Sequence, residues 1–484
     1  MEQSHLIELI KTLSPAEKAD ILQFATISFF NKGRMRAHVG PLLDFCLSQS
    51  WDDPEQRLEK KDVFEIIFPG QEYVEGKLEK AMVEAHKVVR SFLLTQRYFS
   101  EENEFQQIFD FAEIVRLRDL QARYQQLVTR LQKIQEDSQL KNIQFYHQQF
   151  LLEYAKHDEE SLHNQKKGDL NIPNTLFALE MHHHLNRLAL ANRFLLQQKV
   201  ANLDVPASLN SLLDEEALPV KYLEPSPFAL VTNKIFVLLK KDSPELNDAQ
   251  ELFDLLILHE KCFNLDNLRE FYTYLRNICV LALISNPAHD EIHNMLFRLY
   301  KDNLARGYLH YEGKIHPSRY MGIFDTALRI KEYAWANDFL EKYKNDIIGE
   351  NETHDIYRFN KAHYLFAIDQ YDECLAIIPS TSTFVDYMVS GKRLELKAYY
   401  ELQSDLLPYK LDAFKMFISR TSQKLLSDAL IKTNSEFANL LNQLMTSIPG
   451  DKKRASVLIE RIEKKKQALE WRWLLAKAHA LKGN

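Results

Sequence analysis

Glycine and proline are scarce in this chain, with 12 and 15 in 484 residues, about half the share of an average protein. Sheets need these residues at their turns, so the shortage argues against a β-rich architecture and for helices joined by short connections. The glycines never cluster, which leaves no phosphate-cradling loop, and no G-x-S-x-G elbow offers a hydrolytic serine. Cys46, Cys262, Cys279 and Cys374 are scattered and form no C-x-x-C. They read as free thiols packed as small apolar groups, which suits a reducing cytoplasm. No uninterrupted apolar run approaches the ~18 residues of a membrane span, and MEQSHLIELIKTLS lacks the basic start and apolar run of a signal peptide. The net charge is −7, so no global basic field draws nucleic acid. These absences lead to the expectation of a bacterial-type cytoplasmic protein that is not an enzyme and needs no cofactor or metal.

What the chain has is helix. Leu, Glu, Lys, Gln and Ala dominate its long segments, and its length exceeds one compact core. The most regular stretch is 317–379. Tyr320, Phe324 and Ala327 share one helical face; after a turn at Lys331–Glu332, Tyr333, Ala336, Leu340 and Tyr343 repeat the spacing of three and four. Moving on by 38 positions, Ala362, Leu365, Tyr371, Cys374 and Ile378 take the matching places. A fixed-period echo of this kind is how stacked helical hairpins look in a sequence.

The echo resembles the tetratricopeptide repeat. Tyr333-x-x-Ala336 and Tyr371-x-x-Cys374 match the aromatic–small pair of that family's second helix, and Ala362 matches the small position of its first. There are departures. Phe324 stands where the family places a glycine, no glycine marks either inner turn, and Pro379 closes the second unit early. The period also exceeds the family's ~34 residues, a surplus the Gly349–Thr353 loop absorbs. The resemblance implies that the first helix of each unit lines a concave wall. Met321, Asp325 and Arg329, then Phe359, His363 and Phe366, would point there. Aromatic and charged residues together suit capture of a peptide segment, although Phe359 and Phe366 are equally suited to filling the space between units.

Read in order, the chain gives an N-terminal helical region (1–99), a long-helix bundle (100–202), a Pro-containing connector (203–227), a tetratricopeptide-like α-solenoid (228–450) and a basic C-terminal helical cap (451–484). The fold class is therefore all-α. Ser14-Pro15-Ala16-Glu17 signals a helix start, Pro41 begins another, and Ser243-Pro244-Glu245 repeats the Ser-Pro start. Glu104–Glu136 runs without Pro or Gly and carries Leu117, Leu120, Tyr124, Leu127, Leu131 and Ile134 at heptad spacing. Such a short seam favours an antiparallel bundle within the chain over self-association through 104–136.

Three other patterns invite a chemical reading. The pair 62–97, two helices with a turn at Pro69-Gly70, has the outline of a helix-turn-helix, but Glu72, Glu75, Glu79 and Glu84 on the second helix would repel phosphate. His289-Asp290-Glu291-Ile292-His293 resembles H-E-x-x-H, with Asp290 in place of the glutamate and only His310 or His316 as a third ligand; two solvent-facing histidines are the plainer reading. The tail 451–484 holds ten lysines and arginines against four acids. There Lys452, Lys453, Arg454, Arg461, Lys464 and Lys465 form a candidate basic patch for an acidic partner, RNA or DNA, or else a solubilising cap. The sequence thus leads to a scaffold that binds another protein or peptide. The alternatives are a nucleic-acid-associated regulator using 62–97 or the basic tail, and a hydrolase of unrecognised type.

Overall fold

The computed structural model describes residues 4–49, 51, 59–163, 170–201, 209, 220–285, 289–350, 354–379, 385–420, 428–464 and 469–482. Among them the chain is all-α, with isolated β-bridges at Tyr311–Lys314 and Ile315–Ile347 and no strand. No helix of the described residues is long and apolar enough to cross a membrane. Two compact units emerge: Met1–Ser138 with Ile143–His182, and Gln139–Asn142 with His183–Asn484. The division falls upstream of the expected connector at 203–227, of which 203–208 and 210–219 lie outside the described residues.

The first unit opens with α1 (His5–Thr12), α2 (Pro15–Thr26), α3 (Arg36–Ser48), α4 (Lys60–Ile67) and α5 (Lys77–Tyr98). At the start of α2 the Glu17 N–H donates to Ser14 Oγ (3.3 Å) and the Ser14 N–H to Glu17 Oε2 (2.7 Å), a capping box. The helix expected to begin at Pro41 begins instead at Arg36 and carries Pro41 inside it. The turn before it is anchored from α5, because the Met35 N–H donates to Glu84 Oε2 at 2.7 Å. α5 buries Leu78, Ala81, Ala85, Val88, Val89 and Phe92 in the core formed with α1–α3. Each fully buried Leu, Val or Phe there adds roughly 1.5–3 kcal/mol.

The single helix expected over 104–136 is two helices, α6 (Glu104–Arg116) and α7 (Gln121–Asp137), packed as a hairpin. Asp119 takes φ 56°. Its N–H bonds the Arg116 carbonyl (3.0 Å), and the Leu120 N–H bonds the Val115 carbonyl (3.3 Å), which is a Schellman reversal. Asp tolerates this conformation better than most residues, so the chain turns without Pro or Gly. The heptad stripe is cut there: Tyr124, Leu127 and Leu131 are buried, whereas Leu117 and Leu120 are 78% and 53% exposed. α8 (Ile143–His163) packs on α7, and α9 (Ile172–Ala201) follows.

The second unit continues through α10 (Val220–Leu223), α11 (Pro227–Lys240), α12 (Leu246–Leu258), α13 (Leu265–Ser285) and α14 (Asp290–Ala305). α15 (Pro317–Arg329), α16 (Tyr333–Tyr343), α17 (Asp355–Ala367), α18 (Tyr371–Ile377) and α19 (Val385–Glu401) come next. α20 (Leu407–Arg420), α21 (Asp428–Met445), α22 (Lys452–Glu463) and α23 (Trp471–Leu481) complete it. The N-cap of α12 is Glu245, which shares a capping box with Asp248; the expected Ser243-Pro244 start lies two residues too early.

From α11 to α23 each helix packs on the next, and alternate helices also touch: α11 with α13, α15 with α17, α17 with α19, and α21 with α23. Within 317–379 the stripe is buried in part, with Tyr333, Tyr343, Leu365, Tyr371 and Ile378 half-buried. Tyr320, Phe324, Ala327, Ala336, Leu340, Ala362 and Cys374 are all 0% exposed. The Tyr320 hydroxyl also donates to the Leu340 carbonyl at 3.2 Å, tying α15 to α16.

Candidate functional site

α15, α17 and α19 lie side by side, and their shared face carries most of the residues singled out at 317–379. Asp325 and Arg329 on α15 are exposed, and Met321 is half-buried. On α17 His363 and Phe366 are half-buried. Phe359 is only 3% exposed, with its ring 4.6 Å from His363 and 4.8 Å from Tyr387, so it fills the α17–α19 interface. Close packing at Gly391 explains its depth, since a Cβ added there would touch the Phe359 ring at 3.7 Å.

Around these residues stand four that sequence reasoning missed as a site: Arg393, Lys397 and Glu401 on α19, and Glu470 just before α23. Lys397 is 6% exposed; its Nζ lies 2.7 Å from Glu470 Oε2 and 4.6 Å from the centre of the Phe366 ring. Arg393 Nε is 3.8 Å from Glu470 Oε1, and its Nη1 donates to Asn434 Oδ1 on α21 at 2.8 Å. A charge pair this sequestered requires a close partner, because removing ions from water is costly. No local motif announces it, as Lys397 and Glu470 are 73 residues apart.

The electrostatics follow from crowding. Asp325 keeps open surface, yet neighbouring protein desolvates its carboxyl. That desolvation, with Glu470 adding to it against the pull of Lys397, pushes its carboxyl up to about 7. Desolvation, then Lys397, pushes the His363 imidazole down to about 3, and its Nε2 is buried without a hydrogen-bond partner. Burial would raise the Glu470 carboxyl, but the Lys397 and Arg393 cations outweigh it and hold it at about 2. At neutral pH Glu470 is therefore a carboxylate and His363 an uncharged imidazole.

The chain matches no family model, no curated protein and no solved structure.

The remaining sequence candidates sit elsewhere. His289 is half-buried at the N-cap of α14, but His293 is buried at 7% exposure and does not face solvent as expected: it shares with Ile292 the side of α14 that packs inward, while Asp290 and Glu291 stay exposed. His310 lies against the Tyr343 ring at 5.8 Å, and His316 Nδ1 accepts the Ser318 N–H at 3.3 Å to cap α15. No group of three or more His, Cys, Asp or Glu is placed to hold a metal ion among the described residues. Burial pushes the Cys46, Cys279 and Cys374 thiols up to about 12, the wrong direction for a reactive cysteine; Cys262 is half-buried.

In the pair at 62–97, α5 gives its apolar face to the core, and Lys60 and Glu79 pair at 2.7 Å between α4 and α5. On α22, Lys452, Lys453, Arg454, Arg461 and Lys464 are exposed above buried Ala455, Leu458 and Ile462, while Lys465 lies outside the described residues. Among the described residues a cavity of the second unit opens between α12 and α14. It has a volume of about 240 Å³ and is lined by Phe253 and Ile257 of α12 and by Met295, Arg298 and Leu299 of α14.

Proposed function

We propose that this chain is a non-catalytic, cytoplasmic protein-binding scaffold, in which 228–450 is a tetratricopeptide-like α-solenoid and the face of α15, α17 and α19 is its concave wall. The observation that carries the reading is the run of polar groups on three neighbouring helices. Asp325, His363 and Lys397 gather on one face, crowded by protein but with Asp325 still reachable by solvent. A surface that combines such groups with the aromatic ring of Phe366 takes up a peptide segment by hydrogen bonds and apolar contact together. The near-neighbour packing of α11–α23 supports the solenoid reading, because hairpins that cannot bury a core alone gain one by stacking.

The test is capture of partners from the native cell, with quantitative mass spectrometry, by the wild-type chain and by Asp325→Asn/His363→Ala. The reading expects specific partners to be lost in the variant. A second reading, nucleic-acid association, is favoured by one feature alone, the exposed basic row on α22. Salt-dependent retention on DNA that vanishes in Lys452→Glu/Lys453→Glu supports it.

A further inference from the structure

α23 is built as the last helix of the second unit, yet its contacts exceed those of an end cap. Leu474 and Ala478 are buried in the core that includes Phe437, Leu441 and Leu458 of α21 and α22. Glu470, Trp473 and Lys477 recur three and four residues apart, so they share another face of the same helix. That face reaches α19: Glu470 pairs with Lys397, the Trp473 Nε1–H donates to Glu401 Oε1 at 2.6 Å, and Lys477 pairs with Glu401. The Trp473 ring packs edge-on against Tyr400 at 5.3 Å. The electrostatic reach of the segment extends further, from Glu470 to His363 on α17 and Asp325 on α15, and from Arg472 to Arg329. One short helix thus pairs with α19 and carries charges that act on groups of α15 and α17, the other two helices of the candidate face.

The start of α23 adds to this. Glu470 takes φ 58°, a conformation disfavoured for a side chain of its kind, and in it the carboxylate enters between Lys397 and Arg393. A helix that served only to shield α21 and α22 from water would need neither the inserted carboxylate nor the indole hydrogen bond.

We propose that α23 is a self-ligand of this face, seated where a partner helix docks when it presents a carboxylate and, three residues on, an aromatic ring. The inference rests on the reading of α15, α17 and α19 as the partner-binding wall. It adds the chemistry of the occupant and a condition for binding. A partner helix places its carboxylate on Lys397 and Arg393 and its ring by Tyr400 and Glu401, and α23 must give up those contacts first. The wild-type chain is then a weakened receptor, because its binding-competent form is the minor one.

The probe is a fluorescein-labelled peptide of residues 469–482, titrated with the full-length chain and followed by fluorescence anisotropy. Glu470→Gln and, separately, Lys477→Gln loosen the chain's own helix without touching Leu474 or Ala478 or the face the peptide meets. Both variants should bind the peptide at least tenfold more tightly than the wild type, with unchanged circular dichroism. Adding Lys397→Met to Glu470→Gln should abolish the gain. Equal affinity in the wild type, Glu470→Gln and Lys477→Gln overturns self-occupancy. So does a gain that survives Lys397→Met. Should partner capture depend on Asp325 and His363 while peptide affinity stays equal, the wall stands and the self-ligand fails. Should capture ignore Asp325 and His363, the wall itself fails.

Discussion

Lys331 and Asp369, 38 residues apart, occupy the same place in two successive turns. Both have positive φ, 64° and 62°. The N–H of Lys331 bonds the Leu328 carbonyl at 3.0 Å and that of Asp369 the Phe366 carbonyl at 3.2 Å; one residue further, Glu332 and Gln370 bond Ala327 and Leu365, both at 2.9 Å. These are matching Schellman motifs. The same pair of bonds recurs at Asp119, Gly307 and Gln403. Of these five turns only one uses the residue best suited to the conformation.

That choice gives a stability prediction. A non-glycine residue in the left-handed region costs roughly 1–2 kcal/mol, partly offset by the greater chain entropy of glycine when unfolded. Lys331→Gly should stabilise the chain by about 0.5–1 kcal/mol, Asp369→Gly by less because it also loses the bond from the Tyr371 hydroxyl, and Gly307→Ala should destabilise it by about 1 kcal/mol. Denaturant midpoints at constant m-value would read this out.

The buried stripe sets a larger effect. Phe324 is fully buried where α15 meets its neighbours, so Phe324→Ala should cost about 3–5 kcal/mol through lost burial and the cavity it leaves. Tyr320→Phe removes only the bond to Leu340 and should cost about 1 kcal/mol. Thermal or urea unfolding of the two variants side by side checks the ratio.

The Lys397–Glu470 pair should show strong coupling. Lys397→Met alone strands a sequestered carboxylate and should destabilise by about 3 kcal/mol; Lys397→Met with Glu470→Gln should recover most of that. A double-mutant cycle in urea measures it, and simple additivity would contradict the prediction.

Opposite pH slopes are expected from Asp325 and His363. The Asp325 carboxyl is raised from 3.8 to about 7, so the stability it confers is full below pH 4 and is lost as pH rises through 7. His363 is lowered from 6.5 to about 3; its contribution is full above pH 6.5 and is lost as pH falls through 3. Asp325→Asn should therefore lose less stability than the wild type between pH 4 and 7. His363→Gln should lose less between pH 6.5 and 3. Unfolding midpoints across pH 3–8 resolve the two slopes.

Local signals in the sequence carried much of the fold and part of the face. The all-α class followed from composition, and the paired helices of 317–379 from apolar spacing, with a turn found at Lys331–Glu332 where the spacing put it. What spacing could not reveal was the reversal at Asp119, because a left-handed aspartate leaves no Gly or Pro mark. Met35 similarly hid the true start of α3, since its anchor, Glu84, is 49 residues away. The face was legible at Asp325 and His363, which share a helix position one period apart. It was illegible at Lys397 and Glu470, whose partnership depends on how α23 folds back onto α19, a tertiary contact with no periodic trace.

Hydrogen-exchange mass spectrometry of the chain with and without a captured partner tests the central claim most directly. The account predicts new protection on 317–329, 355–367 and 385–401, together with faster exchange in 471–481 as α23 leaves its seat. Protection confined to 452–464, or to the first unit, would contradict it.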